Sequence, residues 1–373
     1  MSDGSNRKHR NPATAKHKAP LTGEERRARR ERRARRRARL AEKEARRAAR
    51  QQARRKTKEE TRPTSKSADF LQRRAAGMMR FLFDWAQAVG RVRASNIAAR
   101  VTRFGGRFVR ENKLGAANIA AAFPEKSEAE RAGILAEVWD NLARQSIEYA
   151  FLKDMIDAFD PEHMEDGPVE VVGIEHIHAL RDSGRAGVIF GAHIGNWELV
   201  AAIGDRLGLP VTAPYRPPAN PYIAEELAKR RSIFASDLIA PGEGIARRIA
   251  RALAKGHHLG ILVDQRIAEG QVIRFFGRKS LSNPVVGVMA RLFDCPVHGS
   301  YSVRLPDGRF RLTMTPRLDL PRDASGRVDA EATNVMVHGM VEDWIRETPG
   351  QWLWLHDRWR YGRRKHNKRF KRD

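Results

Sequence analysis

Between residues 68 and 160 apolar side chains recur at intervals of three and four, as in Ile134, Val138 and Leu142 and again in Ile147 and Phe151. That spacing puts them on one face of an α-helix. The run is interrupted once by the turn-like Phe123-Pro124-Glu125. From Val169 the pattern changes. Short runs of strand-forming residues (169–172, 187–192, 211–215, 259–264, 272–276, 296–303 and 310–315) alternate with amphipathic stretches (175–182, 196–207, 221–234, 244–254 and 284–293). A last amphipathic stretch, 330–346, leads into the aromatic segment Trp352-Leu353-Trp354-Leu355-His356. Strands alternating with helices predict an α/β fold with a layered, mostly parallel central sheet flanked by helices, here with a helical N-terminal lead-in. The front of the chain has neither period. Residues 24–60 are almost wholly Arg, Ala, Glu, Lys and Gln, with Leu40 the one sizeable apolar side chain. Such a stretch forms a solvated helix or a disordered polycation, because it has nothing to bury. The expected organisation is a basic low-complexity tail over 1–66, a helical membrane-surface lead-in over 67–160 and an α/β domain carrying the chemistry over 161–373.

Charge sharpens this division. The chain has 71 Lys and Arg against 45 Asp and Glu, a net of +26. Residues 1–66 hold 25 basic and 8 acidic side chains, a net of +17, which leaves +9 for everything after them. The tail therefore suits adhesion to anionic headgroups or nucleic acid, or serves as a solubilising extension. Cys295 is the only cysteine, so no intramolecular disulfide forms and a cytosol-facing, reducing location is expected. Set between Leu292, Phe293, Pro296 and Val297, it reads as packing. The start of the chain shows no apolar core of a secretory signal. Nor does any uncharged apolar run reach the ~18 residues that a spanning helix needs. The nearest approach, residues 81–86, is flanked by Arg73, Arg74, Arg80, Arg91 and Arg93, a pattern that fits a helix lying in the headgroup region of a membrane.

The segment Gly187-Val-Ile-Phe-Gly-Ala-His193-Ile-Gly-Asn196-Trp-Glu198 runs an apolar strand through a small-residue turn into a helix. Open α/β sheets place their sites at this strand-to-helix edge. A carboxylate in the first turn, Glu198, can reach back to one imidazole nitrogen of His193 and leave the other as an acceptor, the form a general base needs. The substrate's own hydroxyl would then be the nucleophile. Taken alone, a histidine followed five residues later by glutamate is a weak pattern in a chain of twelve histidines, and a histidine near a strand end is more often structural. The pairs His176/His178 and His257/His258 lack the spacing and carboxylate of a zinc site, so no metal is expected. Neither a G-x-S-x-G elbow nor a phosphate-binding P-loop is present.

Several ordered motifs lift the reading above that pattern: His193-Ile-Gly-Asn-Trp-Glu198, Tyr215-Arg216-Pro217 with Asn220-Pro221, Leu262-Val-Asp264-Gln265, Phe275-Phe-Gly277, and Gln351-Trp-Leu-Trp-Leu-His356-Asp-Arg-Trp359. Together with Asn118-Ile-Ala-Ala-Ala-Phe-Pro124 ahead of them, they resemble the lipid A late acyltransferases, the lauroyl and myristoyl transferase family within the wider glycerolipid acyltransferases. The resemblance spans from the helical lead-in to Arg360. It implies transfer of a fatty acyl chain from acyl carrier protein to a hydroxyl of a lipid A precursor, at the cytoplasmic face of the inner membrane, with no metal or redox cofactor. His193 and Glu198 would be the catalytic pair. Asn196, Tyr215, Arg216, Asp264 and Gln265 would bind substrate, with Arg216 offering paired donors to phosphate or to a developing oxyanion. Trp197, Phe275, Phe276, Val285, Val286 and Val288 would line an acyl pocket or simply fill the core. The chain departs from the family at Ser282, where a threonine is expected, in its lack of a clear spanning anchor and in its arginine-rich tail.

Two alternatives stay open at this point. The same chemistry suits a glycerophospholipid or another glycolipid acceptor. A protein of another class would bind nucleic acid through the tail, but it would need a basic, aromatic surface on the folded part. No nucleic acid partner is therefore expected; an anionic membrane surface is.

Overall fold

The computed structural model of the chain describes residues 66–231, 237–239 and 244–359. The tail expected over 1–66 thus lies, apart from Lys66, outside the described residues. The lead-in is helical throughout: α1 (Lys66–Val89), α2 (Arg91–Gly105), α3 (Arg110–Ala122), α4 (Glu128–Glu148) and the short α5 (Leu152–Asp157). Ser127 starts α4 with a capping box. Its hydroxyl accepts from the Glu130 backbone N–H while the Glu130 carboxylate takes the Ser127 N–H, satisfying donors that the first turn otherwise leaves open.

The rest of the described chain alternates as the pattern predicts: β1 (Val169–Val172), α6 (Ile174–Asp182), β2 (Val188–Gly191), α7 (Glu198–Arg206), β3 (Val211–Pro214), α8 (Pro221–Arg231), β4 (Asp237–Ile239), α9 (Ile245–Ala254), β5 (His258–Leu262), β6 (Arg266–Phe275), β7 (Arg278–Ser282), α10 (Val285–Phe293), β8 (Val297–Arg304), β9 (Phe310–Met314) and α11 (Ala330–Glu347). Seven strands form one sheet in the order β1-β9-β8-β2-β5-β3-β4. Every pairing is parallel except β8 with β9.

A parallel sheet is covered on both faces, and side chains along a strand alternate between them. In β2, Val188 and Phe190 enter one core cluster, with Val263, Phe275, Trp344 and Trp352, while Ile189 enters another with Leu199, Ile203 and Leu312. All four residues of β2 are buried, which is why the strand reads as a continuous apolar run.

Two details differ from the sequence expectation. The run 272–276 is not a strand of the main sheet: it falls in the antiparallel hairpin of β6 and β7, whose register shifts between Arg266 and Gln271. The short β4 and β7 carry too little apolar period to be read from the chain. No helix among the described residues is long and apolar enough to cross a membrane.

Candidate active site

The parallel pairing of β2 with β5 sets Gly191 opposite Leu262, and the Val263 N–H continues the ladder to the Gly191 carbonyl at 3.0 Å. The two chains leave the sheet side by side. His193 therefore emerges next to Asp264, 71 residues away in sequence. Nδ1 of His193 lies 2.8 Å from Asp264 Oδ1, and the His193 backbone N–H donates to Oδ2 at 2.9 Å. The indole N–H of Trp352 donates to the same Oδ2 at 2.7 Å. Asp264 is fully buried, which by itself raises a carboxyl pKa. The charge and hydrogen bonds of His193 outweigh that penalty and hold the carboxyl well below its usual range. An ionised carboxylate only accepts, so Nδ1 carries the imidazole proton and Nε2 is the acceptor. The Gln265 amide nitrogen is 3.2 Å from Nε2.

Backbone and aromatic contacts fix the ring. The Trp197 ring meets it edge-on at 4.8 Å. The segment after α11 lies across the His193 turn: Gly195 N–H donates to the Gln351 carbonyl, Leu353 N–H to the His193 carbonyl, and Ile194 bridges to Trp352. Gly195 sits at φ 55°, and a Cβ there would stand 2.2 Å from the Ser302 carbonyl oxygen, so only glycine fits this turn. Between α4, Trp197 and Trp352-Leu353 the imidazole borders a narrow crevice walled by Val138, Leu142 and Gln145. Its open interior is about 10 Å³, on the order of one water.

A family model described as bacterial lipid A biosynthesis acyltransferase matches residues 65–361. The chain belongs to this family. It is 24% identical over 257 residues to the lipid A biosynthesis lauroyltransferase of Escherichia coli (strain K12), covering 67% of this chain and 79% of the relative. The palmitoleoyltransferase of the same organism matches with the same identity and coverage. A lipid A biosynthesis acyltransferase of Haemophilus influenzae is 23% identical over 193 residues, half of this chain and 57% of that protein. The protein is an acyltransferase of lipid A biosynthesis.

Within this acyltransferase the other expected site residues fall into three separate settings. Glu198 opens α7, but its carboxylate is held in a two-pronged pair by Arg231 at the end of α8, with the guanidinium Nε donating at 2.9 Å and one terminal nitrogen closer still. The pairing expected between His193 and Glu198 is thus not the one that forms: Asp264 and Gln265 face the two imidazole nitrogens instead. A first-turn residue is turned toward the neighbouring helix, while the adjacent strand end delivers a carboxylate directly to the ring. Tyr215 stacks its face against the Arg231 guanidinium at 4.3 Å, and Tyr149 lies beneath the same group at 5.7 Å. Burial, and then the Glu198 charge, push the Tyr149 phenol far above its ordinary value.

Asn196, expected to touch substrate, is buried and donates to Glu148 at 3.1 Å. Glu148 is itself clasped by Arg304, whose second terminal nitrogen reaches it at 3.0 Å, and Asn141 donates to the Gly195 and Gln351 carbonyls. This buried network supports the turn from beneath. Arg216 is exposed on the turn after β3, open to a ligand from solvent. Of the residues expected to line an acyl pocket, Trp197 borders the crevice, Phe275, Phe276 and Val286 are core, Val285 packs against that core and Val288 is exposed.

Sequence reasoning did not single out Trp352, Arg231, Glu148 or Arg304. Trp352 stood in a quoted motif, but nothing local marks which of the tryptophans meets Asp264. Ser282, the departure from the family, accepts from the fully buried Arg358 at 2.6 Å, so the retained hydroxyl has a use. Burial lowers the Arg358 pKa to about 10, and its partners here, Ser280, Ser282 and the Leu281 carbonyl, are all neutral. Cys295 is buried, and burial pushes its thiol up to about 11, consistent with packing rather than nucleophilic chemistry.

Proposed function

We propose that this acyltransferase moves a fatty acyl chain from the thioester of acyl carrier protein to a hydroxyl of a lipid A precursor, at the cytoplasmic face of the inner membrane, with His193 as general base. The observation that carries the reading is the Asp264–His193 pair at the sheet edge, with Nε2 left as an acceptor. Nε2 takes the proton of the acceptor hydroxyl as its oxygen attacks the thioester carbonyl. Asp264 receives no proton: it fixes the tautomer and stabilises the imidazolium that forms. When the tetrahedral intermediate collapses, the C–S bond breaks and the departing thiolate takes the proton from Nε2, returning the ring to its starting state.

In this reading Gln265 contacts the acceptor hydroxyl once it displaces the amide from Nε2. Arg216 and Tyr215 face the phosphate-bearing or carbonyl end of a substrate. Glu198 and Asn196 act through Arg231 and the Glu148 network rather than on the reacting atoms. The crevice beside His193 is far smaller than an acyl chain and does not hold one as it stands.

Mass spectrometry of lipid A from cells with and without the gene tests the reading. A mass difference of one acyl chain, lost again in His193→Ala, is the expected result. An unchanged lipid A accompanied by a glycerophospholipid gaining a chain would transfer the same chemistry to the other acceptor.

A further inference from the structure

One face of α4 looks onto the His193 crevice: Val138, Asn141, Leu142 and Gln145, spaced as neighbours on one side of a helix, all line it. Two of the four are apolar and two carry amides, and the amides are in opposite states. Asn141 is spent. Its nitrogen donates to the Gly195 and Gln351 carbonyls, and its oxygen faces the Arg304 guanidinium. Gln351, which also borders the crevice, is spent on the Arg304 backbone, accepting its N–H at 2.7 Å and donating to its carbonyl at 2.9 Å. Gln145 is 4% exposed, yet its side-chain amide forms no hydrogen bond with any described residue.

A buried amide without a partner weakens a fold, and polar groups in protein interiors are nearly always paired. An apolar side chain of the same length would pack α4 at no such cost, so packing gives no reason for the amide. The reaction does. The open interior of the crevice is about 10 Å³, on the order of one water and hence of one oxygen atom. Val138, Leu142, Trp197 and Leu353 make much of its wall apolar, and the His193 imidazole borders it. Acyl transfer brings two oxygens to that imidazole: the attacking hydroxyl, which meets Nε2, and the thioester carbonyl oxygen, which becomes negative as it is attacked. A donor inside an apolar, water-poor crevice stabilises such a charge more than one in solvent. Arg216, the other donor considered for it, is exposed.

We infer that Gln145 is a further catalytic residue, whose amide N–H donates to the thioester carbonyl oxygen as that oxygen becomes the oxyanion of the tetrahedral intermediate. This role rests on the acyl-transfer reading above and supplies the group that meets the developing charge. As the bond from the acceptor oxygen to the carbonyl carbon forms, the π pair of the C=O bond moves onto the carbonyl oxygen, and Gln145 holds it there without giving up its proton. When the pair returns, the C–S bond breaks and the thiolate leaves with the proton from Nε2, so Gln145 ends as it began. Only the carbonyl oxygen enters the crevice; the acyl chain lies beyond it. One helical turn before Gln145, Asn141 ties α4 to Gly195, two residues from His193, so the same contact holds the amide and the imidazole in register.

Steady-state kinetics of the full-length enzyme, with an acyl carrier protein thioester and a lipid A precursor, test this. Gln145→Met keeps the length of the side chain and removes the donor. It is expected to lower kcat by roughly 10²-fold. KM for both substrates should stay within about threefold of the parent. The melting temperature should equal or exceed that of the parent, because an amide without a partner has given way to an apolar chain. A side chain that served only the packing of α4 would not give this combination, since its loss lowers stability. Gln145→Glu, of nearly the same shape but with a negative charge facing the oxyanion, should lose more kcat than Gln145→Met. A kcat for Gln145→Met within about twofold of the parent overturns the inference. So does a raised KM at unchanged kcat, which makes the amide a ground-state contact, and so does a fall in kcat matched by a fall in melting temperature. His193→Ala, run in parallel, tests the reading beneath: parental transfer there removes the general base whatever Gln145→Met does. Transfer to a glycerophospholipid in place of the lipid A precursor changes the acceptor alone. The effect of Gln145→Met is then measured on that acceptor, since the carbonyl belongs to the donor.

Discussion

Two carboxylates compete for the role of orienting His193, and their surroundings separate them. Asp264 is fully buried and receives three donors, two from His193 and one from Trp352. Glu198 is spent on Arg231. His193→Ala should abolish transfer and lower the melting temperature, since the fully buried Asp264 loses its imidazole partner, while the protein still folds. Asp264→Asn should lower kcat by roughly 10²–10⁴, since an amide facing Nδ1 no longer enforces the acceptor state of Nε2. Glu198→Gln should act mainly on stability. It leaves a guanidinium buried among Tyr149 and Tyr215 without its counter-charge, a defect worth roughly 3–5 kcal/mol, and thermal denaturation reads it directly. Equal losses of kcat in both variants, with no fall in stability for Glu198→Gln, would return the orienting role to Glu198. The sequence made His193 and Glu198 legible because they lie five residues apart. Asp264 was legible as a motif residue at a strand end, expected to bind substrate, and not as the partner of His193, since that contact arises from strand pairing across 71 residues.

At the scale of elements, the site is a product of three segments meeting: the end of β2, the end of β5 and the strap after α11. The period of the chain made the first two legible as strands and the alternation with helices made the sheet parallel. Strand order, and hence which ends are neighbours, is not written in any local pattern. The hairpin of β6 and β7 shows the same limit, because 272–276 has the composition of a sheet strand and differs only in its partner. The strap is testable at two points. Gly195→Ala places a methyl group against the Ser302 carbonyl at a φ that alanine resists, so the His193 turn must shift; activity should fall by an order of magnitude or more, with a lowered melting temperature. Trp352→Phe keeps the aromatic packing with Trp354 at 4.6 Å but removes one donor from Asp264. A loss of about tenfold in kcat is expected, consistent with one hydrogen bond to a charged group. A Trp352→Phe enzyme with parental kcat would show that the indole N–H does not tune the pair.

Taken as a whole molecule, the described chain buries histidines that the reaction does not use, and this sets the pH dependence of its stability. His338 lies inside α11 with Nδ1 2.8 Å from the Asn334 carbonyl and Nε2 3.2 Å from that of Val263. Burial depresses its pKa to about 4. His258, His298 and His356 are also lowered, in each case chiefly by burial. A base whose folded pKa lies below its unfolded value binds fewer protons when folded. The stability it contributes is therefore whole above the unfolded value of ~6.5 and is lost progressively as pH falls toward the folded value. For His338 alone the full loss is on the order of 3 kcal/mol, reached near pH 4. The charge state of Asp264 does not offset this, because its lowered carboxyl stays ionised across the same window. Urea midpoints of the full-length protein should accordingly fall from pH 7.5 to pH 5, and His338→Gln should flatten part of that slope by removing one of the groups that must be kept neutral. A midpoint that is level over this range would mean that the histidine sites open to water at little cost, and the tight packing of α11 on the sheet would then not hold in solution.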